Sequence, residues 1–123
     1  MKKVFVFGSN LAGIHGAGSA REAKLNWGAK MGVGFGPTGN AYAIPTKDRN
    51  IESMTLPEIE KHVDQFIHYA RSNPDMQFHV VAIGCGLAGY RPYQIGPMFR
   101  DAPGNCVLPT EFEPYCGNKG SNE

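Results

Sequence analysis

The sequence lacks the features that mark several large protein classes. No apolar run approaches the roughly 18 residues that a membrane span needs, and the apolar stretch after Lys2 and Lys3 is only about five residues long, which is too short for a secretory signal. The three cysteines, Cys85, Cys106 and Cys116, are an odd number without CxxC spacing. This pattern argues against a disulfide framework or a zinc site. We therefore predict a cytoplasmic protein with no membrane partner, no metal and no cofactor.

The sequence also lacks an excess of charge of either sign. The net charge is +1, and no basic stripe is present, so there is no strong signal for nucleic-acid binding. The 123 residues, of which 41% are hydrophobic, suit one globular domain. We place this domain at 1–114 and predict a flexible polar tail at 115–123. Because a short chain can cover a sheet edge by pairing with a second copy, a homo-oligomer is one expectation, although no residue specifies it.

Glycine, by contrast, is abundant. The sequence has 16 glycines, about twice the usual share of roughly 7%. Glycine loses more conformational entropy on folding than other residues, so this excess indicates close backbone approach or positive φ angles. The glycines concentrate in the segment 28–40, which we predict to be a loop, and after two apolar strands.

Apolar patterning predicts strands that alternate with helices. Thr55-Leu56-Pro57-Glu58 is a capping box with proline at the first helical position, which marks the start of a helix. The predicted strands are 3–7, 41–45, 78–83 and 105–109, and the predicted helices are 17–27, the capped helix ending before Asn73-Pro74, and a short piece within 91–99. This alternation predicts an α/β fold with a sheet that is at least partly parallel.

Two glycine-rich junctions share one arrangement, in which a buried strand is followed by a glycine loop and a helix. The strand VFVF leads into "GSNLAGIHGAGSA", and the strand VVAI leads into "GCGLAGYRP". Ligands of parallel α/β sheets bind outside the carboxyl ends of the strands, so both loops should open on the same edge. Glycine loops and helix N-termini present backbone N–H groups to phosphate, and two facing loops suit a diphosphate. The alternative explanation of these glycines is that they only form tight turns. The dinucleotide-binding fingerprint is incomplete, and the sequence has no P-loop motif.

The two junctions together resemble the signatures of macro domains. Asn10 and His15 have the spacing of the first signature, with residues 16–20 where a triple glycine stands in that family. Residues 84–90 align without a gap to the second signature. Compact proteins with this pattern are typical of bacteriophage and bacterial genomes. The resemblance implies a three-layer mixed β-sheet flanked by helices, with a cleft for ADP-ribose or a related nucleotide as the small-molecule partner.

The resemblance also implies roles for individual residues. Asn10 would hydrogen-bond the distal ribose, His15 would transfer a proton near the reacting end, and both would be catalytic. Tyr90 would pack its ring on the ribose. The backbone of the two loops would hold the diphosphate, and the full set of implied ligand-binding residues is Gly8, Ser9, Gly16, Ala17, Gly18, Ser19, Gly84, Cys85, Gly86, Leu87, Ala88, Gly89 and Tyr90.

Departures from the family pattern leave three functions open. Ala17 interrupts the triple glycine, Cys85 replaces a serine or threonine, and the aspartates that contact adenine and accompany hydrolysis are missing. The first function is binding with hydrolysis at the distal ribose, of a 1″-phosphate or an ADP-ribosyl ester. The second is a non-catalytic module that sequesters a nucleotide signal. The third is a hydrolase with Cys85 as nucleophile and His15 as its base.

Three further residues have both a functional and an ordinary interpretation. Phe35, in the glycine-rich loop, could cover a bound nucleoside. Lys47 and Asp48 could stand at the mouth of the cleft, although exposed loop charges are the usual explanation.

Overall fold

The computed structural model describes residues 1–116. The predicted tail therefore lies, from residue 117 on, outside the described residues. The strands are β1 (Lys2–Asn10), β2 (Gly36–Thr38), β3 (Ala41–Lys47), β4 (Met76–Val80) and β5 (Cys106–Val107), and the α-helices are α1 (Gly18–Asn26), α2 (Leu56–Arg71) and α3 (Pro92–Ile95). Two 3₁₀ helices, Gly96–Phe99 and Thr110–Tyr115, complete the described structure. No helix within residues 1–116 is both long enough and apolar enough to cross a membrane.

The strands form one mixed sheet in the order β2-β3-β1-β4-β5. β1 pairs in parallel with β3 and β4, β4 pairs in parallel with β5, and β2 is antiparallel to β3. After β1 the chain builds β2 and β3 on one side and then crosses to β4 on the other, so the strand order reverses beside β1. Such a reversal opens a crevice at the carboxyl ends of the strands.

Side chains of β1 alternate between two apolar clusters. Val4 and Val6 point into the larger cluster, which α2 and the C-terminal helices cover, whereas Phe7 points into a smaller cluster beneath α1. Because successive side chains of a strand face opposite sides, one strand supplies both clusters. The result is the predicted arrangement of three layers, with the sheet between helices.

The capping box of α2 forms as predicted. The Thr55 hydroxyl accepts a hydrogen bond from the Glu58 N–H at 3.3 Å, and the Thr55 N–H donates to the Glu58 carboxylate at 2.9 Å. These bonds satisfy the backbone N–H groups of Thr55 and Glu58, which have no acceptor within the helix at its start.

Other details differ from the prediction. Residues 36–38 were predicted to be loop but form the short edge strand β2, which pairs with β3. Gly36-Pro37-Thr38 has no strand pattern of its own, so the sequence did not indicate this pairing. β4 ends at Val80, before the predicted 83. On the predicted helix at 17–27, Ala20 and Ala23 are buried, whereas the apolar residue Leu25 is exposed to solvent.

Candidate functional site

A cleft of about 580 Å³ opens at the carboxyl edge of the sheet. Its floor is the ends of β1 and β3 and the residues that follow β4, and its walls are the two glycine loops and a turn after β3. The residues that line it are Gly8, Ser9, Asn10, Ile14, Gly16, Ala17, Gly18, Ser19, Ala20, Thr46, Lys47, Ile51, Val81, Ala82, Ile83, Gly84, Gly86, Leu87 and Ala88. This is the edge that the two strand–loop junctions predicted.

The first loop, residues 11–17, is held by Asn10. The Asn10 side-chain amide donates to the Ile14 carbonyl at 2.8 Å, and its oxygen accepts from the Ile14 N–H at 3.0 Å. The loop leads into α1, whose N-cap residue Ala17 has no side chain able to accept a hydrogen bond and whose first turn carries no acidic residue. The first N–H groups of a helix have no acceptor within the helix, and the first residues of α1, Gly18, Ser19 and Ala20, line the cleft.

Glycines behind the first loop let two backbones touch. The Gly32 N–H donates to the Gly13 carbonyl at 2.8 Å, and a Cβ on Gly13 would stand 2.3 Å from the carbonyl carbon of Gly32. A Cβ on Gly34 would stand 2.6 Å from the Asn10 carbonyl oxygen, and the Ser9 hydroxyl donates to the Gly34 carbonyl. The glycine-rich segment 28–40 is therefore the support of the first loop.

The second loop, residues 84–90, is fastened to the segment that precedes α2. The Ser53 hydroxyl donates to the Ala88 carbonyl at 2.7 Å, and the Tyr90 hydroxyl donates to the Met54 carbonyl. Gly84 begins the loop with a φ of +75°, a conformation that glycine adopts without steric cost. The loop thus has a defined position opposite the first.

The end of β3 and the turn that follows it form the third wall of the cleft. The end of β3 contributes Lys47, the only ionisable side chain among the residues that line the cleft in the described part of the chain, and the turn contributes Ile51. The Asp48 carboxylate accepts hydrogen bonds from the N–H groups of Asn50 and Glu52 at 2.8 and 3.0 Å and so shapes this turn. Of the two charged residues considered for the mouth of the cleft, Lys47 lines it and Asp48 does not. Ile51 was not predicted there, because no local pattern distinguishes it from an exposed loop residue.

The structure brings most of the predicted site residues to the cleft. Those that line it are Gly8, Ser9, Asn10, Gly16, Ala17, Gly18, Ser19, Gly84, Gly86, Leu87 and Ala88. His15, Cys85, Gly89 and Tyr90 are not among its lining residues.

His15 belongs to the first loop, but its side chain is fully buried. Its Nε2 is 3.0 Å from the Lys30 carbonyl oxygen, so Nε2 carries the proton and donates. The ring packs edge-on against Phe7 with the ring centroids 5.4 Å apart, and Nδ1 has no hydrogen-bond partner among the described residues. An enclosed imidazole cannot exchange protons with a ligand in the cleft, so the proton-transfer role predicted for His15 finds no support in this geometry.

Cys85 and Tyr90 face the larger apolar cluster. Burial, with a smaller effect from the Glu111 carboxylate, raises the pKa of the Cys85 thiol. The thiolate is the nucleophilic form, so this environment disfavours the predicted cysteine hydrolase. The Tyr90 hydroxyl donates a hydrogen bond to the Met54 carbonyl. Phe35, which could have covered a bound nucleoside, packs instead on the His62 ring, with the ring centroids 5.6 Å apart.

Comparisons with known proteins give one structural match. No family model and no curated protein sequence matches the chain. The solved structure "Thermosipho africanus DarTG in complex with ADP-ribose" superposes with a TM-score of 0.61 and 17% sequence identity, covering 90% of this chain and 39% of that chain. This chain thus spans well under half of the length of the protein that it matches. At such low identity the likeness shows the fold, and the mixed sheet between helices is, as predicted, a macro-domain-like fold.

Proposed function

We propose that this protein binds ADP-ribose, or a related nucleotide with a diphosphate, in the cleft between its two glycine loops. The observation that carries the proposal is the meeting of both loops and the uncapped N-terminus of α1 around one cleft.

The lining of the cleft suits a diphosphate better than a ligand recognised by many side chains. A Cβ on Gly16 or on Gly86 would meet no other atom within 4 Å, so a ligand can approach the backbone on both walls. Backbone N–H groups and a helix N-terminus favour phosphate, and the Lys47 ammonium adds a positive charge. The volume of about 580 Å³ falls in the range of small-molecule sites, roughly 300–1,000 Å³.

The structural neighbour supports the identity of the nucleotide. That protein was solved with ADP-ribose, and it shares the fold over 90% of this chain. ADP-ribose contains the diphosphate that two facing loops can hold, together with two sugar rings and a base.

The geometry favours binding without turnover. Neither His15 nor Cys85 lines the cleft, and Lys47 is the one ionisable side chain among the described residues that do. We therefore infer that the protein retains its nucleotide, as the sequestering module considered above would. Hydrolysis at the distal ribose stays a prediction, and release of phosphate from ADP-ribose 1″-phosphate would demonstrate it.

The binding proposal is tested by filling the cleft from a position that the fold tolerates. Gly86→Val places a side chain in open space at a residue without a positive φ, so the fold should persist while the approach to the backbone is blocked. Isothermal titration with ADP-ribose should show micromolar binding by the wild type and at least an about tenfold loss of affinity in the variant. AMP and ribose 5-phosphate serve as comparison ligands and should bind more weakly.

Gly104→Val is the matched control. Gly104 is exposed and also has open space around it, but it does not line the cleft, so this variant should bind like the wild type. Equal affinity of the wild type and Gly86→Val would show that the second loop does not hold the phosphates.

A further inference from the structure

Ile51 has a backbone conformation that its side chain disfavours. With a φ of +62°, it is the one non-glycine residue among residues 1–116 in the positive-φ region. Left-handed conformation brings Cβ close to the following carbonyl oxygen, and a β-branched side chain makes it a genuine outlier. Such a conformation persists only where the surroundings enforce it, and outliers of this kind cluster at functional sites.

The turn around Ile51 enforces this conformation. The Asp48 carboxylate accepts from two N–H groups on either side of Ile51, those of Asn50 and Glu52. The Ile51 N–H donates to the Asp48 carbonyl at 3.1 Å, and the Asp48 N–H donates to the Glu52 carbonyl at 2.8 Å. A bridge between Lys47 and Ser53 closes the base of the turn.

Core packing does not explain the strain. The Ile51 side chain is 42% exposed and lines the cleft. Two other exposed aliphatic side chains, Ile14 from the first loop and Leu87 from the second, line the same cleft. Three separate segments thus bring water-exposed apolar groups to one site. A charged diphosphate gains nothing from contact with apolar side chains, whereas the face of a sugar or base ring is stabilised by such contact.

We propose that Ile51 is a specificity-determining residue, which the Asp48 turn holds in the left-handed conformation so that its side chain packs against a ring of the bound nucleotide. This inference rests on the proposed binding of ADP-ribose or a related nucleotide. It goes further by requiring that the ligand carry a ring at this wall and by naming the residue that contacts it.

Ile51→Gly separates the two consequences of the proposal. Glycine removes the side chain and adopts a positive φ freely, so the midpoint of thermal unfolding should stay the same or rise. Affinity for ADP-ribose, measured by isothermal titration, should fall at least about fivefold because a ring contact is lost. The control is Met31→Gly, which removes an exposed apolar side chain from a turn outside the cleft and should leave affinity unchanged.

Each outcome decides the question. Unchanged affinity in Ile51→Gly, with normal binding by the wild type, overturns this inference and leaves the proposed function standing. A lower unfolding midpoint in Ile51→Gly shows that the residue serves packing and also overturns it. No binding of ADP-ribose by the wild type overturns the proposed function and this inference together. A stable variant with weakened binding supports both.

Discussion

Tyr42 shows at the scale of a residue how burial changes ionisation. It lies in β3 within the larger apolar cluster and packs against the rings of Phe66 and Tyr69. Burial, and secondarily the neighbouring Tyr69, raises the pKa of its phenol from 10.0 to about 12. The charged form is disfavoured because a phenolate in this cluster would lose its hydration.

This shift predicts a loss of stability in alkali. Between pH 10 and about 12 the folded protein keeps the Tyr42 proton, whereas the unfolded chain loses it. The unfolded state then binds fewer protons, so the free energy of unfolding falls as the pH rises through this window. Chemical denaturation on either side of pH 10 should show that fall in the wild type and a smaller one in Tyr42→Phe.

Tyr93→Phe is the control for this measurement, since Tyr93 is 61% exposed. A slope in Tyr42→Phe as steep as that of the wild type would mean that other groups cause the alkaline loss of stability.

At the scale of elements, the position of the first glycine loop depends on contact between two backbones. Gly13 has a φ of +73°, and no atom can be added to it without meeting Gly32 or Val33. The loop and the segment 28–40 therefore pack as one unit, from which the chain continues through residues 16–19, which line the cleft.

Gly13→Ala should therefore be strongly destabilising. The added methyl group would stand 2.3 Å from a backbone carbon of Gly32, and the positive φ adds steric cost, so the free energy of unfolding should fall by about 2–4 kcal/mol. Urea denaturation measures the change.

Gly16→Ala in the same loop is the matched comparison. Its Cβ would meet nothing within 4 Å, and we expect a change within about 1 kcal/mol. Similar losses in the two variants would show that the contact between Gly13 and Gly32 is not what fixes the loop.

At the scale of the whole molecule, β1 joins the two apolar clusters. Trp27, the only tryptophan of the sequence, packs on Phe5 with ring centroids 5.2 Å apart and reports on the α1 side of the sheet. α2 lies on the opposite side and dominates the helical content of the described residues. Because the side chains of β1 alternate between the two clusters, we expect that a displacement of β1 from one cluster also breaks its contacts in the other.

We predict one cooperative transition for both sides. Trp27 fluorescence and far-ultraviolet circular dichroism should give coincident urea unfolding curves. Ile59→Ala, in the fully buried face of α2, should destabilise the protein by about 2–5 kcal/mol and shift both curves equally. A fluorescence midpoint that stays at the wild-type value would show that the α1 side unfolds independently.

Local patterns in the sequence determined the main elements and the place of the cleft. Apolar runs and the Thr55 capping box depend on residues a few positions apart, and glycine loops after two apolar strands indicate the carboxyl edge of a parallel sheet. For this reason the α/β fold, α2 and the positions of both loops could be derived from the sequence, and resemblance supplied the macro-domain-like arrangement.

Tertiary structure decided which side chains face the cleft. Asn10 has the predicted location, but its amide is occupied by the Ile14 backbone, and His15 turns inward to the Lys30 carbonyl, 15 residues away. Cys85 faces the core, and Ile51 reaches the cleft only through the Asp48 turn. The direction of a loop side chain depends on contacts with distant segments, which spacing within a motif does not encode. Strand and helix formation is governed by neighbouring residues, and that is the physical reason why the sequence alone predicted the elements but not the orientation of these groups.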